Sequence, residues 1–569
     1  MSHSKSSKRE ARARVGLGLQ ARKKRERRGG RLEAMVVSGL HRQRSGRHAR
    51  RVHVNENPRG HRHACSRESG MCVRVQSVPR ARSFTVETDA NAVPTAAERE
   101  VDEVLGRGEE KEGSRRRTRR VAVLGGTGRV GSETARALVE SYANMAAGKP
   151  GTRERNGSNG TASSNAVAAQ EERIEIVLVG RDEARADAAR TRWPGALGNA
   201  EFKRCDIDDV NFVGLVDMLG GCDLVVNAAG PFQRRAHHNP LRAAIEAGVP
   251  YMDVCDDLDY SIASKSGSHA DAVERGVPAL VCTGIYPGVS NLLAAKTVRD
   301  ARRAAREAAS DEGGMEGGAT DDSATIDSDF DVQKLLYSYF TAGSGGVGTT
   351  ILATTYLLLG EPAATYVDGE LVHKPPFSSR AVMDFGDRTG LREVFLCNLP
   401  EVESTHRYLG VPSVEARFGT DPGVYNTIMS AMSRLLPRSF LERQQNARAL
   451  AEVSMPLVKV TDLMSGEAVA MRIDAKLGNG KVVSSLFSHK RCSVAVGNST
   501  ASFARSILDG RVNPGVWFPE EESAFIDYDA DADAILSRAS KGCRKFLVSQ
   551  APWQVDSKPR QVGMGMYLE

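Results

Sequence analysis

The sequence predicts an α/β fold: a Rossmann-type doubly wound parallel sheet carrying an inserted α+β second domain. Three observations support this. Short apolar runs alternate with helix-length amphipathic segments from Arg119 to Gly284, the rhythm of a parallel sheet with crossover helices. The first of those runs ends in a glycine-rich turn that opens a helix. Beyond Gln333 the rhythm shifts to longer strands and to Asp-Gly and Asn-Gly hairpin signals.

In order, Val121-Ala-Val-Leu is the first strand and Arg129 to Ala147 the first helix. A Gly/Ser/Asn/Ala-rich insert, Gly148 to Gln170, reads as a disordered loop. Strands are expected at Ile174 to Gly180, Ala200 to Cys205, Asp223 to Gly230, Pro250 to Val254 and Ala279 to Gly284. Helices between them are expected at Asp182 to Arg192, Val210 to Leu219, Pro240 to Ala247 and Lys265 to Arg275. A helix from Asn291 leads into Ala301 to Ser328, whose acidic, Gly-rich second half marks a surface insertion. The second domain is expected to hold a strand at Gln333 to Ala342 and a helix at Val347 to Leu359. Hairpins follow at Ala364 to His373 and Val469 to His489, with helices at Tyr425 to Leu436 and Arg443 to Met464. Cys492 to Asp509 is a small-residue helix returning to the first domain. The expected division is 1–118 basic segment, 119–288 dinucleotide domain, 289–491 substrate and dimerisation domain, and 492–569 returning helix and tail.

The 569 residues carry a formal charge of +7, which hides an asymmetry. Met1 to Ser83 holds 23 Lys/Arg against five Asp/Glu, so the remainder is net acidic. A nucleic-acid reading would rest on that segment alone and is disfavoured. The segment lacks apolar periodicity. It fits an Arg-rich organelle transit peptide, chloroplast or mitochondrial, or else a basic solvated tail or a start codon placed ahead of Met35 or Met71. Without a transit peptide the expected location is cytoplasmic. No run of eighteen apolar residues exists, so no membrane span is expected. The nine scattered cysteines form no C-x-x-C pair and read as reduced thiols. No metal site is expected.

The first strand runs into Gly125-Gly126-Thr127-Gly128-Arg129-Val130-Gly131, a G-x-G-x-x-G between strand and helix. The first glycine, Gly126, is expected to make the tight turn, Gly128 to admit a pyrophosphate, and Gly131 to let helix and strand approach. The helix N-terminus then offers free N–H groups to the phosphates. At the end of the second strand an acidic residue would bind a ribose 2′-hydroxyl. Here Gly180 is followed by Arg181, so the sequence predicts NADP over NAD. Ala229, Gly230 and Pro231, at the end of the fourth strand, leave room for the nicotinamide half.

Together with Ala247 to Asp253, Gly284 to Asn291 and Gly497 to Gly510, these segments resemble the saccharopine dehydrogenase (saccharopine reductase) family from Arg119 to Glu520. The resemblance implies a substrate-binding, often dimerising second domain and NADP-dependent hydride transfer at an amine–carbonyl adduct. Two positions depart from the family. Tyr286 stands where saccharopine-forming enzymes carry an acidic residue, and Tyr339-Phe-Thr-Ala-Gly-Ser-Gly-Gly346 replaces a Tyr-Cys-Gly-Gly-type segment.

Candidate chemistry lies in Asp253, Cys255, Asp256 and Asp257 after the fifth strand. A carboxylate there binds a substrate amine or relays a proton, or it caps the next helix. Asp256 and Tyr286 are the leading catalytic candidates. His237 and His238 flank the cofactor or belong to a surface loop, and the Gly343 to Gly348 run offers backbone N–H groups to a carboxylate or is only a turn. No Tyr-x-x-x-Lys pair, H-E-x-x-H, G-x-S-x-G or P-loop occurs. The alternatives to an oxidoreductase acting on a small molecule are a non-catalytic NADP-binding scaffold or sensor, and a reductase of lipid-like carbonyl or enoyl groups.

Overall fold

The computed structural model describes residues 118–146, 172–233, 235, 237–312, 329–343, 349–558, 560–563 and 566–568. The basic N-terminal segment, the Gly/Ser/Asn-rich insert, residues 313–328 and residues 344–348 of the glycine run lie outside these. The two main sheets belong to one compact unit, Lys111–Glu569.

The first sheet is built from β1 (Thr118–Leu124), β2 (Arg173–Gly180), β3 (Glu201–Arg204), β4 (Leu224–Asn227), β5 (Tyr251–Asp253) and β6 (Pro278–Leu280). All pair in parallel, in the order β3-β2-β1-β4-β5-β6. The order reverses between β1 and β4, which places a crevice beyond their carboxyl ends. Residues alternate between faces. Val121 and Val123 join one core cluster, while Ala122 and Leu124 join the other. Burial on both faces is what a helix-covered parallel sheet requires and explains the unbroken apolar runs.

The second sheet contains β7 (Val332–Ala342), β8 (Ala363–Val367), β9 (Glu370–Lys374), β10 (Ala381–Asp384), β11 (Leu391–Leu396), β12 (Ser413–Asp421), β13 (Ala468–Leu477) and β14 (Val482–His489). Its order begins β10-β11-β12-β7-β13-β14, with β8 pairing β12 and β9 pairing β8. The expected hairpins are present. The β8–β9 turn places Asp368 at φ 50° and Gly369 at φ 86°, the left-handed pair that a two-residue hairpin turn demands.

Several elements differ from expectation. The helix expected from Lys265 begins at Leu258, because the Asp257 carboxylate accepts a hydrogen bond from Tyr260 N at 2.7 Å and caps it. The helix after β6 runs from Val289 through Glu312, beginning ahead of the expected Asn291. The strand β12, unassigned from sequence, lies parallel to β7 in the middle of the second sheet. Its Val414 and Ala416 enter the core, while Glu415 pairs with Lys334 and Arg417, each at 3.2 Å.

Residues 492–569 return to both sheets. The Cys492–Leu508 helix lies on the Arg129–Ala146 helix, with Gly497 against the Glu133 backbone. The strand β15 (Gly515–Trp517) then extends the first sheet beside β6, in parallel. The strand β16 (Lys545–Gln550) pairs with β14 at the edge of the second. The seven described cysteines are free thiols. Among the described residues no helix is long and apolar enough to cross a membrane.

Candidate functional site

The glycine turn closes at the switch point. Gly128 N donates to Gly125 O at 2.8 Å, and Gly126 N donates to Val123 O at 2.9 Å. The left-handed backbone falls on Gly125, at φ 71°, and Gly126 follows it within the turn, where a Cβ would lie 2.7 Å from Val123 O. A Cβ at Gly125 would lie 2.8 Å from Ala228 O and Ala229 Cα, so the turn presses directly on the end of β4. A Cβ at Gly131 would lie 2.4 Å from Gly125 O, which accounts for a glycine in the first turn of the helix. At Gly180 a Cβ would meet Thr127 Oγ1 at 2.6 Å, so the turn also touches the end of β2.

Three of the predicted segments therefore converge: Gly125–Gly131, Gly180–Arg181 and Ala228–Pro231. Arg181 extends into solvent and makes a long 3.6 Å ion pair with Asp206. Asp182 is held as the cap of the Glu183–Arg192 helix by Ala184 N. Half-buried Arg129 faces towards the start of the Cys492–Leu508 helix, where its charge opposes the rise that burial imposes on the Cys492 thiol.

At the end of β5 the acidic cluster divides by role. Asp253 is buried, and its Oδ1 accepts from Cys255 N at 3.1 Å and Cys282 N at 3.0 Å. Its Oδ2 accepts from Tyr251 OH, which in turn accepts from Asn227 Nδ2. Desolvation pushes Asp253 up to about 6, and these donors act the other way. It locks the loop ends of β4, β5 and β6 together. With Asp257 capping a helix, Asp256 is the carboxylate left available. It is solvent-exposed, on the loop that leaves the carboxyl end of β5. Reduced hydration there pushes it up to about 6, opposed by the Gln233 amide, which donates to Oδ1 at 2.8 Å.

Tyr286 stands at the junction of the two sheets. Its hydroxyl is 3.1 Å from Thr341 Oγ1 on β7, and its ring lies 5.0 Å from Tyr339. Burial pushes its hydroxyl well above the ordinary range, so it stays protonated. Behind it, Tyr339 OH donates to the buried carboxyl of Glu401 at 2.8 Å, and Ser290 Oγ donates to the same oxygen at 3.0 Å. Glu401 is within electrostatic reach of both Asp256 and Tyr286, and burial raises it. Nothing near Glu401 in the sequence marked it; it arrives on the Pro400–Leu409 helix, which the sequence did not reveal.

His238 is not free for the cofactor. Its Nδ1 is 2.7 Å from Ser264 Oγ, its ring lies 4.3 Å from Tyr260, and burial lowers its pKa. A separate polar depression of about 540 Å³ is lined by Arg120, Glu172, Ile174 and Glu201 at the amino ends of β1 to β3, away from all these groups. Among the described residues no cluster of three or more His, Cys, Asp or Glu could hold a metal ion.

The family model described as saccharopine dehydrogenase NADP binding domain matches residues 157–314. The match begins after the first helix, so the glycine turn precedes it, while β1 lies between matched strands β2 and β4. No curated protein matches the chain. Among solved structures, apo saccharopine dehydrogenase (L-Glu forming) from Saccharomyces cerevisiae is 13% identical, covering 76% of this chain and 99% of that one, with a TM-score of 0.47. Pen from Bacillus thuringiensis is 12% identical, covering 29% and 51%, with a TM-score of 0.19. The oxidoreductase ylbE from Lactococcus lactis is 14% identical, covering 28% and 67%, with a TM-score of 0.18. The chain resembles the saccharopine dehydrogenase family and carries a match to its NADP-binding domain over residues 157–314.

Proposed function

We propose that this protein is an NADP-dependent oxidoreductase acting on a small amine–carbonyl adduct. The observation that carries the reading is the glycine turn at the β1/β4 switch point, bordered at the end of β2 by Arg181 where an NAD site would place a carboxylate. The residues present fit the dinucleotide: a Cβ at Gly125, Gly126 or Gly131 would strike the protein's own backbone, so the glycines keep the turn tight, with Thr127 and the exposed Gly128 at its tip. Arg129 and Val130 open the helix above it. Arg181 takes the 2′-phosphate, and Ala229, Gly230 and Pro231 border the nicotinamide half.

Bound NADPH would supply a hydride. The protein's own part is to hold the acceptor carbon and to move one proton to the atom that gains the electron pair. Asp256, raised to about 6 at the carboxyl end of β5, suits that proton transfer near neutral pH. Tyr286, protonated and fixed by Thr341, donates a hydrogen bond to the substrate. A second copy of the chain is the proposed partner, through the second sheet's domain.

The test is to measure NADPH and NADH binding, then to screen oxo-acid/amine pairs for loss of dihydronicotinamide absorbance. Turnover that falls in both Asp256→Asn and Tyr286→Phe supports the assignment. Tight NADPH binding with no turnover of any pair in a broad screen would instead make the chain a non-catalytic NADP-binding protein.

A further inference from the structure

We infer that Arg204, from the neighbouring strand β3, is a second guanidinium of the 2′-phosphate subsite and sets the choice of NADP over NAD jointly with Arg181. The inference rests on the dinucleotide reading above and deepens it.

The sheet register fixes the geometry. Arg204 is the last residue of β3 and lies directly beside Gly180. Cys205 N donates to Gly180 O at 2.9 Å, so the two strand ends are held together up to the last residue. Arg204 Nη1 donates to Arg181 O at 3.3 Å, which places its guanidinium beside the Arg181 backbone. Gly180 is itself the residue that Thr127 of the glycine turn packs against. With a pyrophosphate on that turn, the adenosine ribose reaches this edge of the sheet, between the turn and the ends of β2 and β3.

The charges around this edge are arranged to be rearranged. Arg181 and Arg204 side chains keep 75% and 68% of their surface exposed. Their ion pairs, to Asp206 at 3.6 Å and to Glu183 at 3.7 Å, are long and solvent-bathed, so exchanging them for a phosphate costs little. Asp182, the nearest carboxylate to Arg181 in sequence, is tied up as a helix cap. Two guanidiniums approaching from adjacent strands match a doubly charged phosphate, which accepts from each fork. A ribose 2′-hydroxyl offers no such charge, so the pair discriminates between the cofactors.

The experiment measures dissociation constants for NADPH and NADH at one fixed ionic strength on wild type, Arg204→Ala, Arg181→Ala and the double variant. A charged hydrogen bond lost in each single variant predicts about ten- to one-hundred-fold weaker NADPH binding with NADH within twofold of wild type. The double variant should bind both cofactors alike. Wild type that prefers NADPH while Arg204→Ala keeps its NADPH affinity within twofold overturns this inference and leaves the cofactor reading standing. Wild type that binds NADH as tightly as NADPH, or binds neither, overturns the cofactor reading itself. Because Arg204 is exposed, the variant's unchanged melting temperature serves as the folding control.

Discussion

Gln233 donates to the Asp256 carboxyl at 2.8 Å and at the same time is gripped by the second domain's helices. Thr354 Oγ1 donates to its side-chain oxygen at 3.4 Å, and Gln444 Nε2 donates to its backbone oxygen at 2.8 Å. The carboxylate proposed for proton transfer is therefore joined through one residue, by its side chain and its backbone, to two helices far away in sequence.

Replacing that amide should move the acid. The Gln233 hydrogen bond stabilises the ionised form of Asp256, opposing desolvation. Gln233→Leu therefore raises Asp256 above its value of about 6. Carbon-13 NMR of labelled aspartates, with Asp256→Asn to identify the resonance, reads the change. A midpoint that falls or stays fixed contradicts the account.

Glu520 makes folding stability depend on pH. It is buried, accepts from Asn291 Nδ2 at 2.8 Å, and desolvation raises it to about 7. Below the ordinary glutamate range both folded and unfolded chains hold the proton. Between there and about 7 only the folded chain does, so stability falls as pH rises through that window and levels off above it. The penalty is roughly 3 kcal/mol at the plateau. Glu520→Gln keeps the acceptor and removes the charge, so its urea midpoint should exceed that of wild type at pH above this window and lose the advantage in acid. An advantage that is the same at every pH contradicts this.

Gly497 admits the close approach of the returning helix. A Cβ there would sit 2.9 Å from the Glu133 backbone, which cannot give way as a flexible side chain would. Gly497→Ala should therefore destabilise the fold by about 1–3 kcal/mol, the usual range for overpacking, despite alanine's better helix propensity. A urea midpoint equal to or above that of wild type would contradict the packing.

The contrast between what the sequence revealed and what it concealed follows from range. The strands β1, β2 and β4 were legible because each is an apolar run ended by glycine or small residues. By contrast β15 is only three residues long and is defined by pairing with β6, more than two hundred residues earlier. The strand β12 alternates Val414, Ala416 and Phe418 with the charged Glu415 and Arg417, a strand signal that is short and gains its place only from the remote partner β7. The site behaves alike. Local motifs marked the turn, Arg181, Asp256 and Tyr286, whereas Gln233, Glu401 and Arg204 acquire meaning only through contacts made by other elements. Gly125, which precedes the motif, takes the left-handed conformation in the turn, a detail that the motif does not mark.

The crevice between β1 and β4 is proposed to hold NADP. Isothermal titration of the purified chain with NADPH and, in parallel, NADH at the same ionic strength tests it most directly. One NADPH per chain is expected, with at least about tenfold preference over NADH, the equivalent of one charge-assisted hydrogen bond. Absence of binding, or equal affinity for the two, would contradict it.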